Sequence, residues 1–190
     1  MMRDLTTTCA IIKNSIFELT NKKPLKEIKV KDILQNAKIP KSSFYYNYHS
    51  LDEVIEEMMD DFLVKLYDKT YRSSNIPNYI DGAVSMNITL FIEDNLYFLS
   101  QLLHSNYQVS FITKMESIFI RLIINRFYKE QLIPCGQLST TAQMLAYGFV
   151  TNWAQNLCSP TPRPVAQFIY TLEHIMFNFI HTERKSPKRY

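Results

Sequence analysis

The stretch that decides the fold is Ile33-Leu34-Gln35-Asn36-Ala37-Lys38-Ile39-Pro40-Lys41-Ser42-Ser43-Phe44-Tyr45-Tyr46-Asn47. Val30, Ile33, Leu34 and Ala37 repeat at helical spacing, which predicts a short helix over about residues 30–36. Pro40 then disfavours helical geometry at Ile39, while its own fixed φ suits the opening of a new helix. The chain therefore turns at residues 38–40 and restarts as a helix over about residues 41–47. Only Phe44 in that helix looks buried. Lys41, Ser42, Ser43, Tyr45 and Tyr46 are left pointing outward, a surface of donors and flat rings without a carboxylate.

Upstream, Leu5, Cys9, Ile12, Ile16 and Leu19 form one apolar stripe of a longer helix that Asp4 is placed to cap and that runs to about Asn21. A polar break containing Pro24 follows. A long helix followed by two short ones across a tight turn makes a three-helix, helix-turn-helix unit, whose last helix is the type that enters a DNA major groove. Downstream, Ser50-Leu51-Asp52-Glu53 reads as a capping box, with Ser50 and Glu53 bonding each other's backbone N–H groups. Val54, Ile55, Met58, Phe62 and Leu66 carry this fourth helix to about Tyr71.

Charge follows the same division. The formal net charge is +3, but the first 52 residues hold nine Lys+Arg against five Asp+Glu, and the other 138 hold twelve against thirteen. Lys22, Lys23, Lys26, Lys29, Lys31, Lys38 and Lys41 face only Glu27 and Asp32 within twenty residues. A run of this kind is either a solvated face or an electrostatic footprint for phosphate. Set on a helix-turn-helix, the chemistry assigns phosphates to Lys29, Lys31, Lys38 and Lys41, base edges to Ser42 and Ser43, phosphate oxygens to the Tyr45 and Tyr48 hydroxyls, and stacking or a thymine methyl to Tyr46.

These residues resemble the TetR/AcrR family of transcriptional regulators. The likeness covers about residues 8–55; Ala37, Phe44, Tyr45, Ser50, Asp52 and Glu53 sit on the family's pattern, with Ile39, Ser43 and Tyr48 as near equivalents. Lys38 stands where the family usually has a turn glycine, Pro40 replaces a capping serine, Asn47 a Tyr or His, and Leu51 a lysine that in the family often contacts phosphate. The resemblance implies a DNA-binding unit at residues 1–52 and a helical effector-binding and dimerisation body at residues 53–190. It also implies a homodimer on an operator with two half-sites, most simply a repressor. Successive major grooves on one face lie about 34 to 36 Å apart, so control by a ligand or partner would act through head spacing. Lys38 and Leu51 keep open a second reading, a TetR-fold interaction or coactivator module without operator recognition.

Beyond residue 78 the pattern stays helical, with a break near Glu93-Asp94-Asn95, a long helix over about residues 108–129, another from about Ser139 to Leu157, a proline-rich loop at residues 159–164 and a last helix over about residues 165–182. The expectation is all-α, about nine helices and no strand. Apolar residues occupy more than one stripe of the last helix, which suits burial against both its own core and a partner. The expected dimer contacts are Gly148, Trp153, Phe168, Leu172, Ile175 and Phe179. Phe91, Tyr97, Phe98, Met115, Phe119, Tyr128 and Phe149 either line a cavity for a small apolar or aromatic effector or are plain core.

Other classes lack a foothold. Average usage would give about 13 glycines; the chain has three, Gly82, Gly136 and Gly148, which excludes a glycine-rich phosphate loop. No histidine or cysteine pair has metal-ligand spacing and no G-x-S-x-G is present, so no enzyme, metal or cofactor is expected. Arg121 interrupts the best apolar run, Ile118 to Ile124, so no membrane span is expected. Three scattered cysteines and no basic-then-apolar leader predict a reduced, cytoplasmic protein.

Overall fold

The computed structural model describes residues 5–74, 83–129 and 135–185. Among them are nine α-helices and no strand: α1 (Leu5–Thr20), α2 (Val30–Ala37), α3 (Lys41–Asn47), α4 (Leu51–Ser74), α5 (Ala83–Asp94), α6 (Leu96–Leu103), α7 (Gln108–Lys129), α8 (Cys135–Leu157) and α9 (Val165–Lys185). A 3-10 turn, Leu25–Glu27, lies in the break before α2. None of the described helices is long and apolar enough to cross a membrane. Asp4 and Asn78 lie outside the described residues.

The helices pack as two compact units, residues 1–62 with 97–108, and residues 63–96 with 109–190. In the first, the stripe expected of α1 is buried at Ile12, Ile16 and Leu19, together with Leu25, Ile28, Ile33, Phe44, Val54, Ile55 and Met58. Polar ties fix α1 against its neighbours. Ser15 Oγ donates to the Ile33 carbonyl at 3.4 Å and accepts from Asn36 Nδ2 at 3.1 Å. Lys13 Nζ reaches Glu57 at 2.8 Å and Asp61 at 2.6 Å. Burial opposes the charge on Lys13, but these two carboxylates outweigh it and raise its pKa.

This unit takes in more than the first three helices. Phe98, Leu99, Leu102 and Leu103 of α6 are buried, and the Phe98 ring centroid lies 4.7 Å from that of Phe17. Tyr97 Oη donates to the Thr20 carbonyl at 2.7 Å, and the Leu25 N–H donates to Gln101 Oε1 at 3.0 Å. Tyr107 Oη donates to Asp52 at the start of α4, and burial followed by that carboxylate pushes the phenol pKa up.

In the second unit, α7 buries Phe111, Met115, Phe119 and Ile123, spaced by four throughout. On α8, Leu138, Ala142, Ala146, Val150, Trp153 and Ala154 are buried. α9 packs against α5 and α8. α8 starts at Cys135, earlier than the capping residues Ser139 and Thr140 indicate, so Gly136 is helical rather than a stop. Glycine costs a helix least in its first turn, where the N–H groups have no intrahelical partner in any case. The loop between α8 and α9 is closed by one side chain: Asn156 Nδ2 donates to the Arg163 carbonyl at 3.0 Å, and Asn156 Oδ1 accepts the Arg163 N–H at 2.9 Å.

The α4 cap departs from a reciprocal box. Ser50 Oγ accepts the Glu53 N–H at 3.2 Å, but Glu53 Oε2 reaches past Ser50 to the His49 N–H at 2.7 Å and lies 3.1 Å from His49 Nδ1. The His49 N–H, then its ring, hold the Glu53 carboxyl below its usual range. At the start of α2, Asp32 accepts from Lys23 Nζ at 2.5 Å and from the Lys29 N–H at 2.8 Å. The Lys23 bond first, and the backbone bond second, lower the Asp32 pKa. A carboxyl whose folded pKa lies below its unfolded value stabilises the fold above about pH 4 and stops doing so as pH falls through the folded value. Asp32→Asn is therefore expected to flatten the acid limb of stability. Denaturation midpoints measured across that range check this, and unchanged acid sensitivity would contradict it.

Candidate nucleic-acid interface

The turn between α2 and α3 has the shape that a glycine usually supplies. Lys38 adopts φ 52°, ψ 42°, the one non-glycine residue with positive φ among the described residues. Its N–H and that of Ile39, the latter at 3.2 Å, both reach the Leu34 carbonyl, closing the end of α2. A lysine thus occupies the left-handed turn and stores strain there, about 1 kcal/mol relative to glycine. Pro40, at φ −71° and ψ 153°, then precedes α3, and its carbonyl accepts the Ser43 N–H at 3.0 Å.

α3 divides cleanly between its two sides. Phe44 is 0% exposed and Tyr48, one turn on, is 2% exposed, their ring centroids 6.1 Å apart. Asn47 shares this inward side: its Nδ2 donates to the Ser43 carbonyl at 2.6 Å and its Oδ1 accepts the Cys9 thiol at 3.5 Å. On the other side Lys41, Ser42, Tyr45 and Tyr46 are exposed, Tyr46 by 77%. Lys41 Nζ lies 5.6 Å from the Tyr45 ring centroid, a cation–π contact that leaves the ammonium at the surface. Ser43 is half-buried.

Tyr48 corrects the expectation of a phosphate-donating hydroxyl. Its side chain is in the core with the hydroxyl buried, and burial pushes its pKa up. The signal was available in sequence, because residue 48 follows the buried residue 44 by one helical turn.

The lysine run separates by partner. Lys23 is bound to Asp32 and Lys22 Nζ donates to Asn36 Oδ1 at 3.2 Å. Lys26, Lys29, Lys31, Lys38 and Lys41 are exposed and form no salt bridge among the described residues. Lys29 precedes the first residue of α2, Lys31 is in its first turn, Lys38 is the left-handed residue, and Lys41 opens α3. Ammonium groups that carry no carboxylate partner among the described residues, Lys38 and Lys41 at a carboxylate-free helix and Lys26, Lys29 and Lys31 upstream of it, can neutralise a phosphate backbone.

The remaining sequence candidates fall elsewhere. Tyr97 and Phe98 belong to the first unit, whereas Phe91, Met115, Phe119 and Phe149 belong to the second, so they do not line one cavity within either unit. Met115 and Phe119 are buried, the Phe119 and Phe149 rings lie 4.8 Å apart, and Lys69 Nζ sits 5.4 Å from the Phe91 ring. The side chain of Tyr128 lies outside those described. Gly148, Phe168, Leu172 and Ile175 line an open groove of about 400 Å³ between α8 and α9. Trp153 does not join them, being 1% exposed, and the side chain of Phe179 lies outside those described. Met144, Asn152 and Phe149 are among its other lining residues; the spacing of four from Gly148 was the signal to include Met144 and Asn152.

Comparison with known proteins adds a fold. The solved structure of a dihydroxyacetone kinase operon activator, DhaS, is similar over 92% of this chain and 97% of its own, with a TM-score of 0.71 at 15% sequence identity. No family model matches the chain, and no curated protein matches it. The all-helical fold is thus shared with an operon activator.

Lys38→Gly separates strain from charge. It is expected to raise unfolding stability by about 1 kcal/mol by relieving the left-handed lysine. Denaturant titration reads this directly, and an unchanged or lower stability would contradict stored strain at the turn.

Proposed function

We propose that this protein is a TetR-like transcriptional regulator that binds double-stranded operator DNA through α3. The observation that carries the reading is the exposed Lys41, Ser42, Tyr45 and Tyr46 surface that follows the left-handed turn at Lys38, with Lys29 and Lys31 exposed at the start of α2. On this reading the lysines grip phosphates and α3 enters the major groove. Leu51 at the start of α4 does not supply a phosphate contact, and the lysines before α3 carry that role.

The regulator acts as a homodimer on two half-sites, its subunits joined along α8 and α9. The α8–α9 groove supports this: Met144 is 72% and Ile175 46% exposed, and a Cβ added at Gly148 meets nothing within 4 Å, leaving room for another backbone. A small apolar or aromatic effector, or a partner, acts on the second unit, where Phe91, Met115, Phe119 and Phe149 stand, and changes the spacing of the two heads.

Occupation of an operator represses in the simplest arrangement. Activation is the second reading, because the regulator that shares the fold at a TM-score of 0.71 is an operon activator. A TetR-fold interaction module without operator recognition is the rival from another class.

Selection from randomised DNA duplexes followed by gel-shift across salt concentrations decides between the regulator and that module. Sequence-selective binding is expected; its absence at every salt concentration would defeat the reading. Lys41→Ala should weaken binding to all sequences and lower the salt slope by about one, whereas Tyr48→Phe should leave affinity unchanged because its hydroxyl is buried. The opposite pattern would reverse these roles. Sedimentation at micromolar concentration is expected to give a dimer that Met144→Asp dissociates, and a monomer for the unmodified protein would overturn the interface.

A further inference from the structure

The exposed face of α3 lacks every side chain that reads a base pair by two hydrogen bonds through a planar group. Arginine does this for guanine, which the non-planar ammonium of lysine can also contact, and asparagine or glutamine for adenine. No arginine occurs in residues 5–62 or 97–108. Asn47 is turned inward and engaged at both ends of its amide, by the Ser43 carbonyl and the Cys9 thiol. Asn36 is engaged likewise: its Nδ2 donates to Ser15 Oγ at 3.1 Å and to Glu18 Oε2 at 2.7 Å, and its Oδ1 accepts from Lys22. Gln35 is exposed but belongs to α2. Lys41 is drawn over the Tyr45 ring.

What the face offers instead is single hydroxyl groups and the apolar area of two tyrosine rings. Tyr46, at 77%, is the most exposed aromatic residue of this helix, and Ser42, one turn earlier on the same side, is too small to hold a partner away from it. In the major groove, the apolar group that distinguishes one base pair from the others is the thymine C5-methyl. We infer that sequence is read here mainly through thymine, with Tyr46 packed against the methyl group and the lysines supplying affinity without base information. This rests on the DNA-binding reading above and names the class of operator: half-sites whose informative positions are A·T pairs.

The test replaces thymine by deoxyuridine, one position at a time, in a duplex selected by the full-length protein. At one position in each half-site, loss of the methyl is expected to weaken binding about fourfold, the equivalent of one buried methylene. Tyr46→Ala should abolish the difference between the two bases there while leaving the salt slope intact, and Tyr46→Phe should preserve it, since the ring and not the hydroxyl makes the contact. Tyr46 is at the surface, so both variants are expected to unfold at the midpoint of the unmodified protein. Selective binding that is indifferent to deoxyuridine at every position, or that depends tenfold or more on a guanine, overturns the thymine reading and leaves DNA recognition standing. Absence of any selective binding overturns both.

Discussion

A seven-residue helix is too short to persist in water on its own, so α3 holds its place because the core holds Phe44. Phe44 is fully buried, Tyr48 closes over the same core one turn later, and Asn47 between them bonds α3 to itself and to Cys9 of α1. Three inward residues thereby fix which four face outward. Loss of the Phe44 ring would remove the anchor and the orientation of the whole exposed face together.

The turn before α3 shows how backbone geometry and charge compete for one position. Glycine would adopt φ 52° without strain, but it would carry no ammonium group. Lysine places a cation between two helices at the cost of a strained backbone, which the paired N–H bonds to the Leu34 carbonyl help to hold. Strained, non-glycine geometry of this kind concentrates where a side chain has a task beyond packing.

Much of this architecture was legible in the residues themselves. Periodicity located α7 at Gln108–Lys129, and Pro40 marked the start of α3. Local pattern carries such information because helix stripes and proline constraints act within a few residues. The shape of the Lys38 turn was not legible, since lysine alone does not announce positive φ. Nor was the location of α6: its apolar repeat declares a helix but not a partner, and the bond from Tyr97 to Thr20 joins residues 77 apart. Contacts over that separation are decided by packing, and a single stripe is compatible with more than one neighbour. The same limit applies to the aromatic residues of the second unit, whose spacing reads equally as core or as cavity lining. At Tyr48 two local signals compete, a hydroxyl next to the exposed face and an i, i+4 relation to the buried Phe44, and burial wins.

The place of α6 has a consequence for how the chain is made. The first unit is assembled from two separate lengths of polypeptide, residues 1–62 and 97–108. During synthesis the first three helices emerge early, yet the buried side of α6 reaches them only after more than thirty intervening residues have followed. Until then Phe17 and the groups that receive Tyr97 and Gln101 meet solvent or a temporary cover. Closing a loop of that length costs entropy that no local contact repays, so the first unit is completed as a late step relative to its own helices. The three helices of the proposed DNA-facing end thus wait for α6, which lies beyond residues 63–96 of the second unit along the chain.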